Sequence, residues 1–301
     1  MNNVESIFIG ASGFIGKYLT SYFPENKIIK TYFNNPILNG VKIDFASTDF
    51  SKFLNNYPNA KRVFMLGGMT NFAKINKYPD LAYDINVTHT KKLIDEICSR
   101  NLKPVFFSSE SVFDGIKGNY IETDTAKPCF EYGHFKKEIE DYLIYNFNSF
   151  IILRLSKVFD SNFMQNTLVT SWINKLILNQ DISCANDNYF SPIHVEDLCK
   201  LIMGICNDSK SNGIYHLSSN ENLNRKEMLE ILLSKISKKH SYKSKITYQS
   251  LNLFPNASLQ PLNTTLNSSK AINLSNFKPS KYEYWVNNIL NQSYYISKFK
   301  I

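Results

Sequence analysis

The sequence predicts an α/β fold with a doubly wound parallel sheet, and three observations support that prediction. Short apolar runs alternate with helical patterns through the first half of the chain. The first apolar run leads directly into a glycine-rich segment, GASGFIG. After about Asp160 the rhythm of the pattern changes, which indicates a second and smaller α/β domain.

The first half supplies the elements of a parallel sheet. Its strand-like segments, in chain order, are SIFIG, KIIKTYF, VKIDF, RVFMLGG, PVFFSS and SFIILRLS. Its helical patterns are GFIGKYLTSYF, about Asp80 to Asn101, and about Tyr132 to Asn146. Strands joined through helices form a parallel sheet that is covered on both faces. We therefore predict a Rossmann-type first domain over residues 1–160.

The second half is predicted to form a smaller C-terminal α/β domain over residues 161–301, either separate from the first or interleaved with it. The pattern predicts a strand and then a helix in NYFSPIHVEDLCKLIMGI, a strand in GIYHLSS, and a loop over Asn252–Asn276. The predicted helices are Asn166–Asn179, Asn224–Ser237 and Tyr282–Asn291. Asn224 is a suitable N-cap for the second of these, since Glu227 follows three residues later.

Composition excludes several classes of protein. The 301 residues are 43% hydrophobic, and no apolar run is long enough to span a bilayer. The net charge of +8 is spread along the chain rather than blocked, which favours a small anionic ligand over nucleic acid. The five cysteines are scattered without metal-ligand spacing, so we predict no metal site. With no signal peptide recognised, the expected location is the cytoplasm.

The segment GASGFIG has the pattern of a dinucleotide-binding turn. It follows a strand and opens a helix, where glycines allow a tight turn, a close approach to a pyrophosphate, and helix–strand packing. The helix N-terminus offers free N–H groups to the phosphates. The predicted cofactor contacts in this segment are Gly10, Ser12, Gly13, Phe14, Ile15 and Gly16.

The end of the second strand bears on which dinucleotide is bound. Folds that select NAD usually place Asp or Glu here, whereas this chain has Thr31, Tyr32, Phe33 and Asn34. No carboxylate would repel a 2′-phosphate, and Lys30 is close in sequence. We therefore predict NADPH as cofactor with a contact at Tyr32, and NADH stays open.

Three later stretches carry a resemblance to a known family. They are PVFFSSESVFDG, CFEYGHFKKEIED and FIILRLSKVFD. Together with GASGFIG and the IHVEDL segment, in this order and at these spacings, they resemble the extended short-chain dehydrogenase/reductase superfamily. Within it the sequence is most similar to the dTDP-4-dehydrorhamnose reductase family, over most of the chain.

The resemblance implies a set of site residues. The catalytic residues would be Ser109, Tyr132 and Lys136. Further cofactor contacts would be Asp44, Phe45, Gly67, Gly68, Met69, Asn86 and Ser108, with Tyr132 and Lys136. Substrate contacts would be Ser109, Glu110, Ser111, Lys157 and Phe190.

The chemistry of ketone reduction explains why these residue types occur together. Tyr132 and Lys136 lie four residues apart and share a helix face. A tyrosine can donate the proton, and a lysine one turn away is expected to lower its pKa from about 10. A serine hydroxyl can hydrogen-bond the carbonyl oxygen as that oxygen gains negative charge.

The sequence departs from the family where the substrate diphosphate is held. Arginines expected from the resemblance are replaced by Phe190 and Gln260, and Lys157 stands where a tryptophan is expected. The predicted substrate is a 4-keto-6-deoxy nucleotide sugar of bacterial surface-polysaccharide synthesis. Another sugar or sugar phosphate, reduced or epimerised, stays open. A second functional class also stays open, namely a catalytically silent regulatory subunit that binds a dinucleotide. A homodimer is a further open prediction, which the sequence does not decide.

Overall fold

The computed structural model describes residues 3–162, 165–238, 240–254 and 260–292. The chain divides into two compact units. The first unit comprises Met1–Phe113, Thr125–Arg154 and Ile205–Tyr215. The second unit comprises Asp114–Asp124, Leu155–Gly204 and His216–Ile301. The predicted domains, residues 1–160 and 161–301, either separate or interleaved, stay a prediction.

The regular elements of the described ranges are numbered in chain order. The strands are β1 Ser6–Ile9, β2 Ile28–Tyr32, β3 Gly40–Lys42, β4 Arg62–Met65, β5 Lys103–Ser109, β6 Ile151–Leu155, β7 Val158–Phe159, β8 Ile182–Ala185, β9 Tyr189–Phe190, β10 Ile193–His194, β11 Gly213–Leu217, β12 Leu223–Asn224 and β13 Ile246–Gln249. The helices are α1 Phe14–Thr20, α2 Phe50–Asn55, α3 Phe72–Lys77, α4 Pro79–Tyr83, α5 His89–Ser99, α6 Glu131–Asn146, α7 Leu168–Ile177, α8 Val195–Asn207, α9 Arg225–Ile236, α10 Ser269–Ser275 and α11 Tyr282–Leu290.

The seven-stranded sheet has the order β11-β6-β5-β4-β1-β2-β3. β1 lies between β2 and β4 and runs parallel to both. Because the chain turns to one side of β1 for β2 and to the other side for β4, the strand order reverses beside β1. In doubly wound sheets ligands bind outside the carboxyl ends of the strands at such a point. The predicted Rossmann-type α/β fold is confirmed.

The long helix predicted from Asp80 to Asn101 is interrupted. α4 leads into a π-helical turn, Asp84–Thr88, and then into α5. α5 buries Leu93, Ile94 and Ile97 on one face, which fixes that helix in the core of the first unit. Isolated π turns inside helices frequently mark functional positions.

The second unit has its own apolar core, in which α7, α9 and α11 pack around residues such as Trp172, Leu229 and Trp285. The capping box predicted for α9 is present, since Asn224 and Glu227 each bond the other's backbone N–H. The loop predicted over Asn252–Asn276 is wrong in one part, because it contains α10. Residues 255–259 of that segment lie outside the described residues.

The described ranges contain neither a membrane-spanning helix nor a metal-binding cluster. No helix there combines the length and apolarity that a membrane crossing requires. In the same part of the chain, His, Cys, Asp and Glu side chains do not cluster in groups that could hold a metal ion.

Candidate active site

The glycine-rich turn after β1 is shaped by close backbone contacts. Gly10 has a φ of +88°, and a Cβ there would lie 2.7 Å from the backbone nitrogen of Gly67. The Gly10 N–H donates to the Thr31 hydroxyl at 3.0 Å. A Cβ at Gly16 would lie 2.6 Å from the Ala11 carbonyl oxygen, so α1 packs directly on the turn. Gly10 and Gly16 are therefore required for this backbone path.

The backbone at Gly13 is open to solvent. Gly13 is exposed, and a Cβ on it would approach only the Gly10 carbonyl, at 3.4 Å. Gly13 is also the N-cap of α1 and carries no side chain to occupy the first N–H groups of that helix. Ser12, Phe14 and Ile15 flank it and are partly exposed. Phosphate oxygens could therefore approach this backbone, and the cofactor contacts predicted for this segment stay predictions.

The neighbouring strand ends bring further predicted cofactor residues together. The Phe45 ring packs over Gly67, where a Cβ would lie 2.9 Å from it. The Asp44 carboxylate accepts the Ala46 N–H at 3.0 Å and so closes its own turn. Tyr32 ends β2 and is partly exposed. Direct contacts of these side chains with a cofactor stay predictions.

Lys30 forms an ion pair, which weakens the case for Lys30 as a contact of the 2′-phosphate of NADPH. Its Nζ lies 2.6 Å from a Glu25 carboxylate oxygen. A paired lysine has less charge to offer a 2′-phosphate than the sequence suggested. The preference for NADPH therefore depends on the absence of a carboxylate over Thr31–Asn34.

Asn86 holds the loop that follows β4. Its side-chain oxygen accepts the Met69 N–H at 2.9 Å, and its side-chain nitrogen donates to the Met69 carbonyl at 3.1 Å. Gly68, at φ +145°, leaves room for that oxygen, because a Cβ would lie 2.7 Å from it. Asn86 is 7% exposed and lies in the π turn. It shapes the Gly68–Met69 loop through both of its polar atoms.

Ser109 lies at the end of β5 and starts a single 3-10 turn, Glu110–Val112. Its hydroxyl accepts the Ser111 N–H at 3.2 Å and donates to the Ser111 hydroxyl at 3.0 Å. Both bonds lie within the turn, so they orient the Ser109 side chain locally. Contacts of Ser109, Glu110 and Ser111 with a substrate stay predictions.

The start of α6 is held tightly against this turn. Gly133 is buried, and a Cβ on it would overlap the Ser111 carbonyl oxygen. Three residues on, the Lys136 ammonium donates to the Phe107 carbonyl at 2.8 Å. These two contacts bring the helix face of Tyr132 and Lys136 to the end of β5, beside Ser109. The three predicted catalytic residues are thus placed by adjoining elements of one unit.

Tyr132 offers a hydroxyl for chemistry. Its ring centroid lies 5.6 Å from that of Phe72 and 5.5 Å from the Lys136 Nζ. The side chain is partly exposed, and within the described ranges its hydroxyl has no hydrogen-bond partner. A substrate carbonyl can therefore hydrogen-bond to it without displacing a protein group.

Burial shifts the pKa values of Tyr132 and Lys136. It lowers the pKa of Lys136 to about 8, against the opposite effect of the Glu140 charge. Burial, with a smaller contribution from the Glu110 charge, raises the pKa of Tyr132. The predicted net lowering of the Tyr132 pKa is therefore wrong, because desolvation of the phenolate outweighs the attraction of a neighbouring positive charge. Tyr132 is a protonated donor at neutral pH.

A buried ion pair supports α6 from behind. Glu140 is 1% exposed and Arg154 is 3% exposed, and a guanidinium nitrogen of Arg154 lies 2.7 Å from the carboxylate. The Ser108 hydroxyl donates to the same carboxylate at 2.5 Å. Ser108 is thus occupied by Glu140, and its predicted cofactor contact stays untested. Glu140 is not among the residues predicted from the sequence, where its only signal is a carboxylate one helical turn after Lys136.

The predicted substrate residues of the second unit have different environments. Phe190 is 2% exposed and packs in the apolar core of that unit. Lys157 is partly exposed, and its backbone carbonyl accepts the Ile193 N–H at 3.0 Å. The side-chain oxygen of Gln260 accepts a bond from Arg225 at 2.7 Å. Substrate binding through Lys157 or Phe190 stays a prediction.

A family model described as the RmlD substrate binding domain matches residues 5–295. The chain belongs to this family. The resemblance predicted from GASGFIG, the VFDG turn and YGHFK is therefore confirmed.

Individual relatives share about a quarter of their aligned residues with this chain. The chain is 26% identical over 225 residues to a dTDP-4-dehydrorhamnose reductase of Aggregatibacter actinomycetemcomitans, covering 70% of this chain and 72% of that protein. It is 25% identical over 204 residues to the methionine adenosyltransferase 2 subunit beta of Xenopus tropicalis, covering 65% of this chain and 59% of that protein. The match thus spans little more than half of the latter.

A solved structure of similar fold is the dTDP-4-dehydrorhamnose reductase of Bacillus anthracis in complex with NADP. It superposes with a TM-score of 0.79 at 21% identity, covering 96% of this chain and 99% of that one. At this identity the likeness shows the fold alone.

Proposed function

We propose that this protein is an NADPH-dependent reductase of a keto group in a nucleotide-activated sugar, a cytoplasmic step of bacterial surface-polysaccharide synthesis. The observation that carries the proposal is the arrangement of Tyr132. Its hydroxyl is unbonded within the described ranges, and it lies one helical turn from the buried ammonium of Lys136. Family membership and the reductase relatives support the same activity.

The protein's own residues would handle the proton and the developing charge. The Tyr132 hydroxyl, kept protonated by burial, would donate its proton to the carbonyl oxygen of the substrate. The Ser109 hydroxyl would hydrogen-bond the same oxygen as it gains negative charge. Lys136, fixed by the Phe107 carbonyl, would keep a positive charge behind the ring of Tyr132 and stabilise the phenolate that remains.

The glycine-rich turn would hold the cofactor. Gly10, Gly13 and Gly16 provide a backbone path that a pyrophosphate can approach, and Asn86 holds the adjoining Gly68–Met69 loop in place. When bound there, a reduced nicotinamide cofactor supplies the hydride. We infer NADPH rather than NADH because Thr31–Asn34 includes no carboxylate to bond the ribose 2′-hydroxyl.

A second candidate function is a non-catalytic subunit that binds a dinucleotide. The observation in its favour is the likeness to proteins named as the beta subunit of methionine adenosyltransferase 2. The arrangement of Ser109, Tyr132 and Lys136 favours the reductase, because a binding subunit has no need of an available phenol hydroxyl beside a buried ammonium.

The test is reduction of a panel of 4-keto sugar nucleotides and sugar phosphates, with NADPH and NADH in separate arms. We expect loss of nicotinamide absorbance with a keto sugar nucleotide, faster with NADPH. Tyr132→Phe should lower kcat by about 100-fold or more, because general acid catalysis contributes on that order. Tyr145→Phe on the same helix is the matched control, since Tyr145 is 82% exposed.

Other results would redirect the assignment. Undiminished turnover by Tyr132→Phe would remove Tyr132 from the mechanism. Tight cofactor binding without turnover of any substrate in the panel would favour the subunit. Turnover of sugar phosphates alone would replace the nucleotide sugar with a smaller substrate.

A further inference from the structure

Arg225 differs from the other arginines of the chain in what surrounds its charge. The chain has four arginines. Arg100 pairs with Glu96, and Arg154 pairs with Glu140. Arg62 donates to the Cys206 carbonyl at 2.6 Å, in the last turn of α8, where the helix dipole is negative. Each of these three cations thus faces a carboxylate or the negative end of a helix.

Among the described residues, the Arg225 guanidinium has only a neutral hydrogen-bond partner. One terminal nitrogen donates to the Gln260 side-chain oxygen at 2.7 Å. Its Nε is buried and has no hydrogen-bond partner within the described ranges. No carboxylate of the described part lies within ion-pair distance of it, and the acid of the first turn of α9, Glu227, accepts the Asn224 N–H instead.

The local field at Arg225 is also positive. Arg225 is the first residue of α9, a helix of 12 residues, and the N-terminal end of a helix dipole is positive. Burial lowers the pKa of Arg225 through desolvation, although a guanidinium stays charged at all accessible pH values. A cation that is partly desolvated and lacks a counter-charge is costly, and an anion beside its guanidinium would offset that cost.

We propose that Arg225 binds the diphosphate of a nucleotide substrate in the second unit. The planar guanidinium matches a phosphate with two parallel N–H···O bonds, which a lysine cannot provide. The inference rests on the proposed function for the identity of the substrate, while the anion site itself rests on the geometry of Arg225.

Arg225 lies next to the two positions at which the resemblance predicts arginines. The resemblance predicts phosphate-binding arginines at two positions, which here are Phe190 and Gln260. Phe190 is paired with Leu223, two residues before Arg225, and Gln260 bonds Arg225 directly. The Arg225 N–H also bonds the Asn188 carbonyl at 3.3 Å. One arginine from a third position therefore brings a positive charge to the segment where both substitutions occur.

The test is calorimetric binding of dTDP, inorganic pyrophosphate and thymidine to the full chain. Saturating NADP⁺ is present throughout, so that the cofactor site cannot take up the diphosphate. We expect dTDP and pyrophosphate to bind and thymidine to bind much more weakly. Arg225→Gln should weaken dTDP binding by about 10- to 100-fold, the range for loss of charge-assisted hydrogen bonds. Arg225→Lys should recover part of this loss.

Arg100→Gln is the matched control, because it removes a guanidinium that is already paired with Glu96. It should bind dTDP as the unaltered protein does. Circular dichroism and urea unfolding establish that Arg225→Gln is folded. The inference is overturned if folded Arg225→Gln binds dTDP with unchanged affinity, or if the unaltered protein binds neither dTDP nor pyrophosphate.

The same variants separate this inference from the proposed function. If dTDP binding depends on Arg225 but no keto sugar is turned over, the site stands and the reductase does not. If a sugar nucleotide is reduced and Arg225→Gln leaves its KM unchanged, the reductase stands and the anion site is overturned.

Discussion

Two arginines, one in each unit, show how differently the two regions use a buried charge. Arg154 of the first unit is 3% exposed and bonds the Glu140 carboxylate through two of its nitrogens. Arg225 of the second unit is partly buried, and within the described ranges its side chain bonds only the neutral Gln260. A buried cation with a full set of partners holds structure in place, whereas one without a counter-charge is suited to a ligand.

The difference extends to the surroundings of each arginine. In the first unit, Glu140 also accepts the Ser108 hydroxyl, and Lys136 bonds the Phe107 carbonyl, so α6 is fixed at two consecutive residues of β5. The proposed catalytic group is therefore positioned before any ligand arrives. In the second unit, the anion-binding charge is left uncompensated, which costs stability and favours binding.

The largest effect we expect is the loss of stability in Arg154→Met. This change leaves the Glu140 carboxylate buried without its cation, which typically costs about 3–5 kcal/mol. Arg225→Met removes no ion pair, so we expect it to change the free energy of unfolding by less than about 1 kcal/mol. Urea unfolding of the two variants measures both values.

A double variant distinguishes a charge effect from lost packing. Arg154→Met combined with Glu140→Leu removes both charges, and buried pairs replaced by apolar residues are often neutral in stability. We expect it to regain most of the loss in Arg154→Met. Equal destabilisation by Arg154→Met and Arg225→Met would contradict the comparison between the two regions.

A smaller effect, a loss of kcat, is expected when the contact between α6 and the turn that follows β5 is disturbed. In Gly133→Ala the added Cβ would overlap the Ser111 carbonyl oxygen, so the start of α6 must move away from Ser109. Displacement of a catalytic group by about 1 Å can cost on the order of 100-fold in rate. We expect kcat to fall by about 10- to 100-fold while cofactor affinity changes little.

His134→Ala is the control for this change, since His134 is the next residue of α6 and is exposed. Its kcat should match that of the unaltered protein. If Gly133→Ala also retains full kcat, the position of α6 against Ser111 is not what aligns Tyr132 with Ser109.

These contacts also show how much the sequence could predict. The alternation of apolar runs and the glycines of GASGFIG identified the Rossmann-type sheet, because both are local patterns. The order of Ser109, Tyr132 and Lys136 identified the candidate catalytic group through a family resemblance. α10 was missed because its seven residues, SKAINLS, show little helical periodicity between polar flanks.

Side-chain pairs between different helices and strands could not be predicted from the sequence. Glu140 and Arg154 lie 14 residues apart on different elements, and only the fold shows that they meet. The sign of the Tyr132 pKa shift was missed for the same reason, since spacing alone puts Lys136 nearby but does not measure burial. Arg225 was passed over because its uncompensated charge depends on the absence of a carboxylate in space.

The smallest expected effect is a change with pH that depends on Lys136. Burial lowers the pKa of its ammonium to about 8 from the usual 10.5, so the charge behind Tyr132 is present below pH 8 and lost above it. We expect kcat/KM for keto sugar reduction to fall as the pH rises through about 8. Tyr132 adds no such decline there, because its pKa is raised above 10.0.

Lys136→Arg provides the control, since a guanidinium keeps its charge at all these pH values and should give a profile without the decline near pH 8. Stability supplies a readout that needs no substrate. Between pH 8 and 10.5 the unfolded chain holds a proton on Lys136 that the folded chain has released, so this residue makes the free energy of unfolding rise with pH. The free energy of unfolding of the unaltered protein, minus that of Lys136→Met, should therefore increase as the pH rises over that range. A difference that stays constant would mean that Lys136 is not the group whose charge is suppressed by burial in the first unit.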